Sequence, residues 1–194
     1  MLAKRVAHGK GVVYIDESTF HWHMRQTHSW GYPEFGISFP ITPERFKAVT
    51  VYGAIGNALK HPVFHFARST NQHDFLTFLK LVDEALKPEE RDAMIVIDGH
   101  RAHFCTAVTN FARRRLRLVK MPPSTSQLNS IESFWGVMKN SFRKLCAKRV
   151  GTIHSQQDLD DLVKEALNSL PSDLHEKCQT ANRKFVIRTL WGLR

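Results

Sequence analysis

Acids are scarce in this chain: 18 Asp and Glu stand against 28 Lys and Arg among 194 residues, a formal net charge of +10. Such an excess draws in polyanions, and nucleic acid is the commonest of them. Cysteine is scarcer still. Cys105, Cys146 and Cys178 are far apart, odd in number and without C-x-x-C spacing, which argues against a disulfide framework or a zinc knuckle. No run of about 18 apolar residues exists to span a membrane. The start, Met-Leu-Ala-Lys-Arg-Val-Ala-His-Gly-Lys, lacks the apolar stretch of a secretory signal. The chain is therefore expected inside the cell without a membrane partner, in the nucleus of a eukaryote or the cytoplasm and nucleoid of a bacterium. Low-complexity linkers and internal repeats are also missing. With 42% apolar and 24% charged residues, one compact domain over 1–194 is expected.

What is present is a series of short apolar runs. Gly11-Val-Val-Tyr-Ile-Asp16 is rich in β-branched residues and fits a strand buried on both faces that ends on an acid. Between Thr19 and Arg25, Phe20, Trp22 and Met24 alternate with His21 and His23, the period of a half-exposed strand. Residues 28–45, with Pro33, Gly36, Pro40 and Pro43, read as a loop. Strands over 47–55 and 63–67, joined through Gly56-Asn57, make an antiparallel meander. From Asn71, a plausible N-cap, Phe75, Phe78, Leu79, Val82 and Leu86 recur at three and four, a helix closed by Pro88.

Ala93-Met-Ile-Val-Ile-Asp98 repeats the first pattern, and a helix over 103–115 leads to a strand over 116–120. A meander followed by β-α-β units gives a mixed α/β sheet, in which reactive groups collect at the carboxyl ends of buried strands. After Pro122-Pro123, Leu128, Ile131, Trp135, Met138, Phe142 and Leu145 mark one long amphipathic helix. Helical stretches near 156–170 and 173–190 finish the chain.

Asp16 and Asp98 each follow an apolar strand, where an isolated buried charge is too costly to keep. Two such carboxylates repel and call for a cation. An all-oxygen site without Cys suits Mg²⁺ or Mn²⁺. Glu132, beside Ile131 at the start of the long helix, is the candidate third ligand. Two ions bridged by these acids could drive an in-line phosphoryl transfer. The plainer readings are that Asp after a strand forms a turn and that Glu in a first helical turn complements the dipole.

Three blocks resemble those of mariner-like and related bacterial insertion-sequence DDE transposases. They are Tyr14-Ile-Asp-Glu-Ser-Thr-Phe20, Ile95-Val-Ile-Asp-Gly-His-Arg-Ala-His103 and the run from Pro122-Pro through Leu-Asn-Ser-Ile-Glu132-Ser-Phe-Trp to Lys139. The last two acids are 132 − 98 = 34 positions apart, close to the family's short spacing. The resemblance covers 11–150, leaving 151–194 as a helical C-terminal extension. It implies a ribonuclease H-like mixed five-stranded sheet flanked by helices, with Asp16, Asp98 and Glu132 as catalytic metal ligands for two Mg²⁺ or Mn²⁺ ions. The implied activity is DNA cleavage and strand transfer on transposon ends and target DNA, by a homodimer in a synaptic complex. Ser130 stands where the family usually has proline and Gln127 where it has Asp, which should alter how the helix begins more than the chemistry. Only about ten residues precede the first strand, so the family's N-terminal helix-turn-helix module is expected to be absent.

His103 matches a histidine of the second block and could orient a carboxylate, contact a phosphate, or only pack. Lys139 lies about two turns, roughly 10 Å, from Glu132 on the same helix and suits contact with a neighbouring phosphate. Arg113, Arg114, Arg115 and Arg117 form one basic cluster, and Arg143 and Lys144 extend another beyond Lys139. Both are DNA-binding candidates or solvated helix faces. Trp135 belongs to the apolar stripe, so packing is favoured over base stacking. His21 and His23 alone make a weak zinc signal. Two rival readings stand beside the enzyme. One is a non-catalytic DNA-binding module derived from a transposase. The other is a ribonuclease or resolvase of the same fold, against which the third block argues.

Overall fold

A computed structural model describes residues 2–22, 24, 48–122, 125, 128–149 and 153–191. Among them, β1 (Val12–Phe20), β2 (Val49–Gly56) and β3 (Val63–Ala67) form an antiparallel meander, and β4 (Met94–Ile97) and β5 (Arg117–Lys120) join parallel to the free side of β1. The sheet order is β3-β2-β1-β4-β5. Six helices accompany it: α1 (Leu2–Ala7), α2 (Gln72–Ala85), α3 (Thr106–Arg115), α4 (Ser130–Lys148), α5 (Gln156–Asn168) and α6 (Leu174–Trp191). This is the expected mixed five-stranded sheet flanked by helices, with a helical C-terminal end.

Both faces of the sheet are covered, and the period of two in each strand decides which side chain goes where. Val13, Ile15, Tyr52, Ala54, Ile95 and Ile97 pack against α2 and α3 through Phe75, Phe78, Leu79, Val82 and Val108. Val12, Tyr14, Val51, Ile55 and Val96 pack against α4 and α5 through Ile131, Trp135, Met138, Phe142, Leu162 and Val163. Asn71 caps α2 by accepting from the backbone N–H groups of His73 and Asp74, and the helix gives way to extended backbone at Leu86, before Pro88. Ser155 and Asp158 form a reciprocal capping box at α5.

The strand expected to end at Asp16 and the one expected from Thr19 are a single element. β2 pairs with every residue from Val13 to Phe20, so Asp16 lies inside a ladder and not at its end. The alternation does not continue as strand beyond Phe20, because Trp22 sits in a turn. The expected loop over 28–45, with His23, Arg25, Lys47, Pro123 and Gln127, lies outside the described residues. The helix expected from 103 begins at Thr106. Arg101–Phe104 form a 3-10 turn, and Cys105 with φ −67° and ψ 161° is extended and breaks the run. Helix α1 carried no signal that sequence reading used. Arg5 anchors it, donating to the Gly11 carbonyl at 3.0 Å and to Asp92 Oδ2 at 2.8 Å.

Candidate active site

Strands β1 and β4 run parallel, with Val12, Val13 and Tyr14 opposite Met94, Ile95 and Val96. Extended by two residues, this register sets Asp16 beside Asp98, which directly follows β4. Alternation turns Asp16 to the face of Val12 and Tyr14, the face covered by α4. Helix α4 reaches that strand because residue 53, the partner of Asp16 on β2, is glycine. A Cβ there would lie 2.7 Å from two ring carbons of Trp135 and 2.9 Å from Ile131 Cδ1. Glu132 follows Ile131 in the first turn of α4 and is thereby brought to Asp16.

The electrostatics report the convergence. Burial, then the negative charges of Glu132 and Glu17, raise the pKa of Asp16 from 3.8 to about 7; a backbone hydrogen bond from Glu17 opposes this, and Asp98 adds a smaller push upward. The three acids singled out in the sequence thus act on one another around Asp16, and Glu17 joins them more strongly than Asp98 does.

Asp98 is held from behind. Its Oδ1 accepts from the backbone N–H of His100 at 3.0 Å and lies 2.8 Å from His103 Nδ1. His103 is 1% exposed and stacks on Phe75 of α2 with ring centroids 4.2 Å apart. Its Nε2 lies 3.2 Å from Glu17 Oε2, an ion-pair distance but off the line of a good hydrogen bond. Burial opposes a charge on this ring, yet Glu17 and Asp98 outweigh it and hold the pKa above the usual histidine value. Of the three alternatives for His103, the described contacts are with a carboxylate, that of Asp98, and in packing on Phe75. Glu17, His100 and His103 each bring one potential ligand atom within 4.8 Å of the others. Glu17 is the acid that sequence reading missed; its local signals were a position next to Asp16 and a place in the first matched block.

The donor set fits a hard divalent cation. Asp16, Asp98 and Glu132 offer only carboxylate oxygen, and their mutual repulsion, visible at Asp16, is what such an ion would relieve. Glu132 is exposed and Asp98 partly so, which leaves this side of the cluster open to solvent. Lys120 adds a cation at this end of the sheet. Its Nζ lies 5.5 Å from the centroid of the Phe104 ring, and its Cε would be 2.9 Å from a Cβ placed on Gly99, beside Asp98.

The basic candidates divide between the two ends of the sheet. Lys139 and Lys144 lie on α4 with Glu132. Arg143, on the same helix, donates to the Met24 carbonyl and to Asn140 Oδ1, both at 3.2 Å, and so is partly engaged in packing. Arg113, Arg114 and Arg115 end α3, next to the start of β5, whereas Asp98 lies past the end of parallel β4. They are thus at the opposite end of the sheet from the acids, and Arg115 pairs with Asp83 at 3.1 Å. Trp135 is 1% exposed and belongs to the core. Ser130 is buried, and its hydroxyl donates to the Cys178 carbonyl of α6 at 3.0 Å. His21 is exposed.

The sequence profile of the DDE superfamily endonucleases matches residues 11–155. Among solved structures, the chain is similar to the Mos1 mariner paired-end complex with Mn, at TM-score 0.70 and 12% identity over 98% of this chain and 59% of that one. It is similar to the catalytic domain of Mos1 mariner transposase at TM-score 0.64 and 12% identity, over 98% and 87%. It also resembles the HTLV-2 integrase catalytic core domain in complex with magnesium, at TM-score 0.51 and 12% identity, over 84% and 86%. What is shared at such identities is the fold. The chain spans less than two thirds of the length of the transposase chain in the paired-end complex. No curated protein sequence matches it.

Proposed function

This chain belongs to the DDE superfamily endonucleases and has the ribonuclease H-like fold of transposase and integrase catalytic domains, and from that premise we propose that it cuts DNA and joins the ends. In this reading Asp16, Asp98 and Glu132 hold two Mg²⁺ or Mn²⁺ ions. The observation that carries it is the convergence of the three acids on Asp16, with Glu132 as the strongest charge acting on it. Relatives of the same fold include one complex with Mn and one with magnesium, which agrees with the all-oxygen donor set.

The bound ions would activate the attacking oxygen and stabilise the leaving one. The protein's own part is positional. Asp16 is fixed within a ladder, Asp98 is fixed by His100 and His103, and Glu132 closes the site from a helix packed on β2. In cleavage, water attacks phosphorus in line and loses a proton to solvent, the bond to the 3′ oxygen breaks, and that oxygen takes up a proton to leave a 3′ hydroxyl opposite a 5′ phosphate. In joining, that freed 3′ hydroxyl loses its proton and attacks a phosphorus of the target strand, whose bond to its own 3′ oxygen breaks, so that a target 3′ hydroxyl leaves after taking up a proton. Lys139, and Lys144 further along α4, would contact phosphates of the same duplex. Transposon ends and target DNA are the substrates of this chemistry, brought together by a pair of chains.

Nicking of supercoiled plasmid with Mg²⁺ or Mn²⁺ tests the reading. Asp98→Ala is expected to lower the rate by about three orders of magnitude, roughly 4 kcal/mol of barrier. Activity that persists undiminished in that variant overturns the assignment. Absence of both nicking and Mn²⁺ binding in the wild-type chain points instead to a DNA-binding module without catalysis.

A further inference from the structure

Asp16 and Glu17 are consecutive in a strand and so point to opposite faces of the sheet. Asp16 turns toward α4. Glu17 turns toward α2, paired across the ladder with Tyr52, which is fully buried on that side. At 16% exposure the Glu17 side chain is largely withdrawn from water. A buried carboxylate needs a partner, and the one it meets is His103. This ring is clamped by Phe75 and lies between two acids, with Nε2 at 3.2 Å from Glu17 and Nδ1 at 2.8 Å from Asp98.

We propose that Glu17 is a positioning residue that acts through His103 to fix the carboxylate of Asp98. The inference rests on the reading of Asp98 as a metal ligand. The close contact of Nδ1 with Asp98, the electrostatic pull of Glu17 on Nε2 and the stack on Phe75 keep the ring from turning about its own axis, so Nδ1 stays on Oδ1. The backbone N–H of His100 arrives at that same oxygen. Both contacts described for Asp98 therefore fall on Oδ1, and the orientation of the second oxygen follows from them. Outer-shell carboxylates that hold a ligand in this way change metal affinity by about 10- to 100-fold when removed. Glu17 thus links the back face of the sheet to the carboxylates on its front, from a side chain that points to the opposite face although its charge also reaches Asp16.

The test is a double-mutant cycle read in Mn²⁺ affinity by electron paramagnetic resonance, with metal-free DNA affinity measured alongside. Glu17→Gln keeps the size of the side chain and serves as the variant that folds; Glu17→Ala is its stronger form. Either is expected to weaken Mn²⁺ binding by about 10-fold or more, with metal-free DNA affinity unchanged. Combining Glu17→Gln with His103→Ala should weaken binding no further than His103→Ala alone, since the effect passes through that ring. Unchanged Mn²⁺ affinity in both Glu17 variants, with a loss in Asp98→Asn, overturns the positioning role alone. Fully multiplicative effects of Glu17→Gln and His103→Ala do the same. An additional Mn²⁺ equivalent that vanishes in Glu17→Gln but survives in Asp98→Asn makes Glu17 a ligand in its own right and also overturns it. Mn²⁺ binding indifferent to Asp98→Asn overturns the metal site itself, and this inference with it.

Discussion

Asp16 titrates near 7 because it is buried among like charges, and this has a sign that can be measured. Its folded pKa lies above its ordinary value, so the folded chain binds this proton more tightly than the unfolded one. The associated stability is fully present below about pH 4 and is lost as pH rises through about 7. In chelator, wild-type melting temperature should therefore fall relative to Asp16→Asn between these limits, and Mn²⁺ should restore it at the upper end. Parallel pH series of the two proteins, with and without metal, check this; identical slopes refute it. The three candidate acids stood out in the sequence because each abuts an apolar run or stripe and sits in a matched block. Glu17 was not, because its partner His103 lies far along the chain and no local periodicity joins them. Nor did the sequence indicate that Lys120 would lie against Gly99.

Among the elements, the strands and long helices followed their apolar periods closely, since burial on one or both faces is what those periods encode. Two departures have local causes. Strand β1 runs through Asp16 and Glu17 because eight successive residues find partners on β2, which the composition of β1 alone does not reveal. The turn at Arg101–Phe104 detaches His103 from α3 through one extended residue, Cys105. At the start of α4, Ser130 replaces the proline usual at this position and ties the helix to α6 through the Cys178 carbonyl. Ser130→Pro should be tolerated by the helix, since its first turn accepts proline, but should lose this bond. We expect a loss of about 1 kcal/mol, read as a lower urea midpoint at unchanged slope. An unchanged midpoint would mean that the tie contributes nothing.

Across the molecule, the acids and the arginine cluster that ends α3 occupy different ends of the sheet. The catalytic candidates gather where β4 ends, and Arg113 and Arg114 sit where β5 begins, about 13 Å away for four-residue strands. If that cluster binds DNA, it does so at a distance from the reacting phosphate. The double variant Arg113→Ala/Arg114→Ala should flatten the dependence of log affinity on log salt by roughly one unit per arginine. Fluorescence anisotropy over a salt series decides; an unaltered slope leaves the cluster as a solvated face. No described helix is long and apolar enough to cross a membrane. The separation between the strand-borne acids and the helix-borne one is governed by Gly53, a residue that carries no charge and no side chain, where a Cβ would meet Trp135 and Ile131. It acts as a shim of zero thickness. A methyl group added there would widen the gap between Asp16 and Glu132 without deleting a carboxylate. Because Mg²⁺ tolerates misplaced ligands less well than larger ions do, the proposed metal site should have its relative preference for Mg²⁺ and larger cations retuned from β2 with every acid left in place.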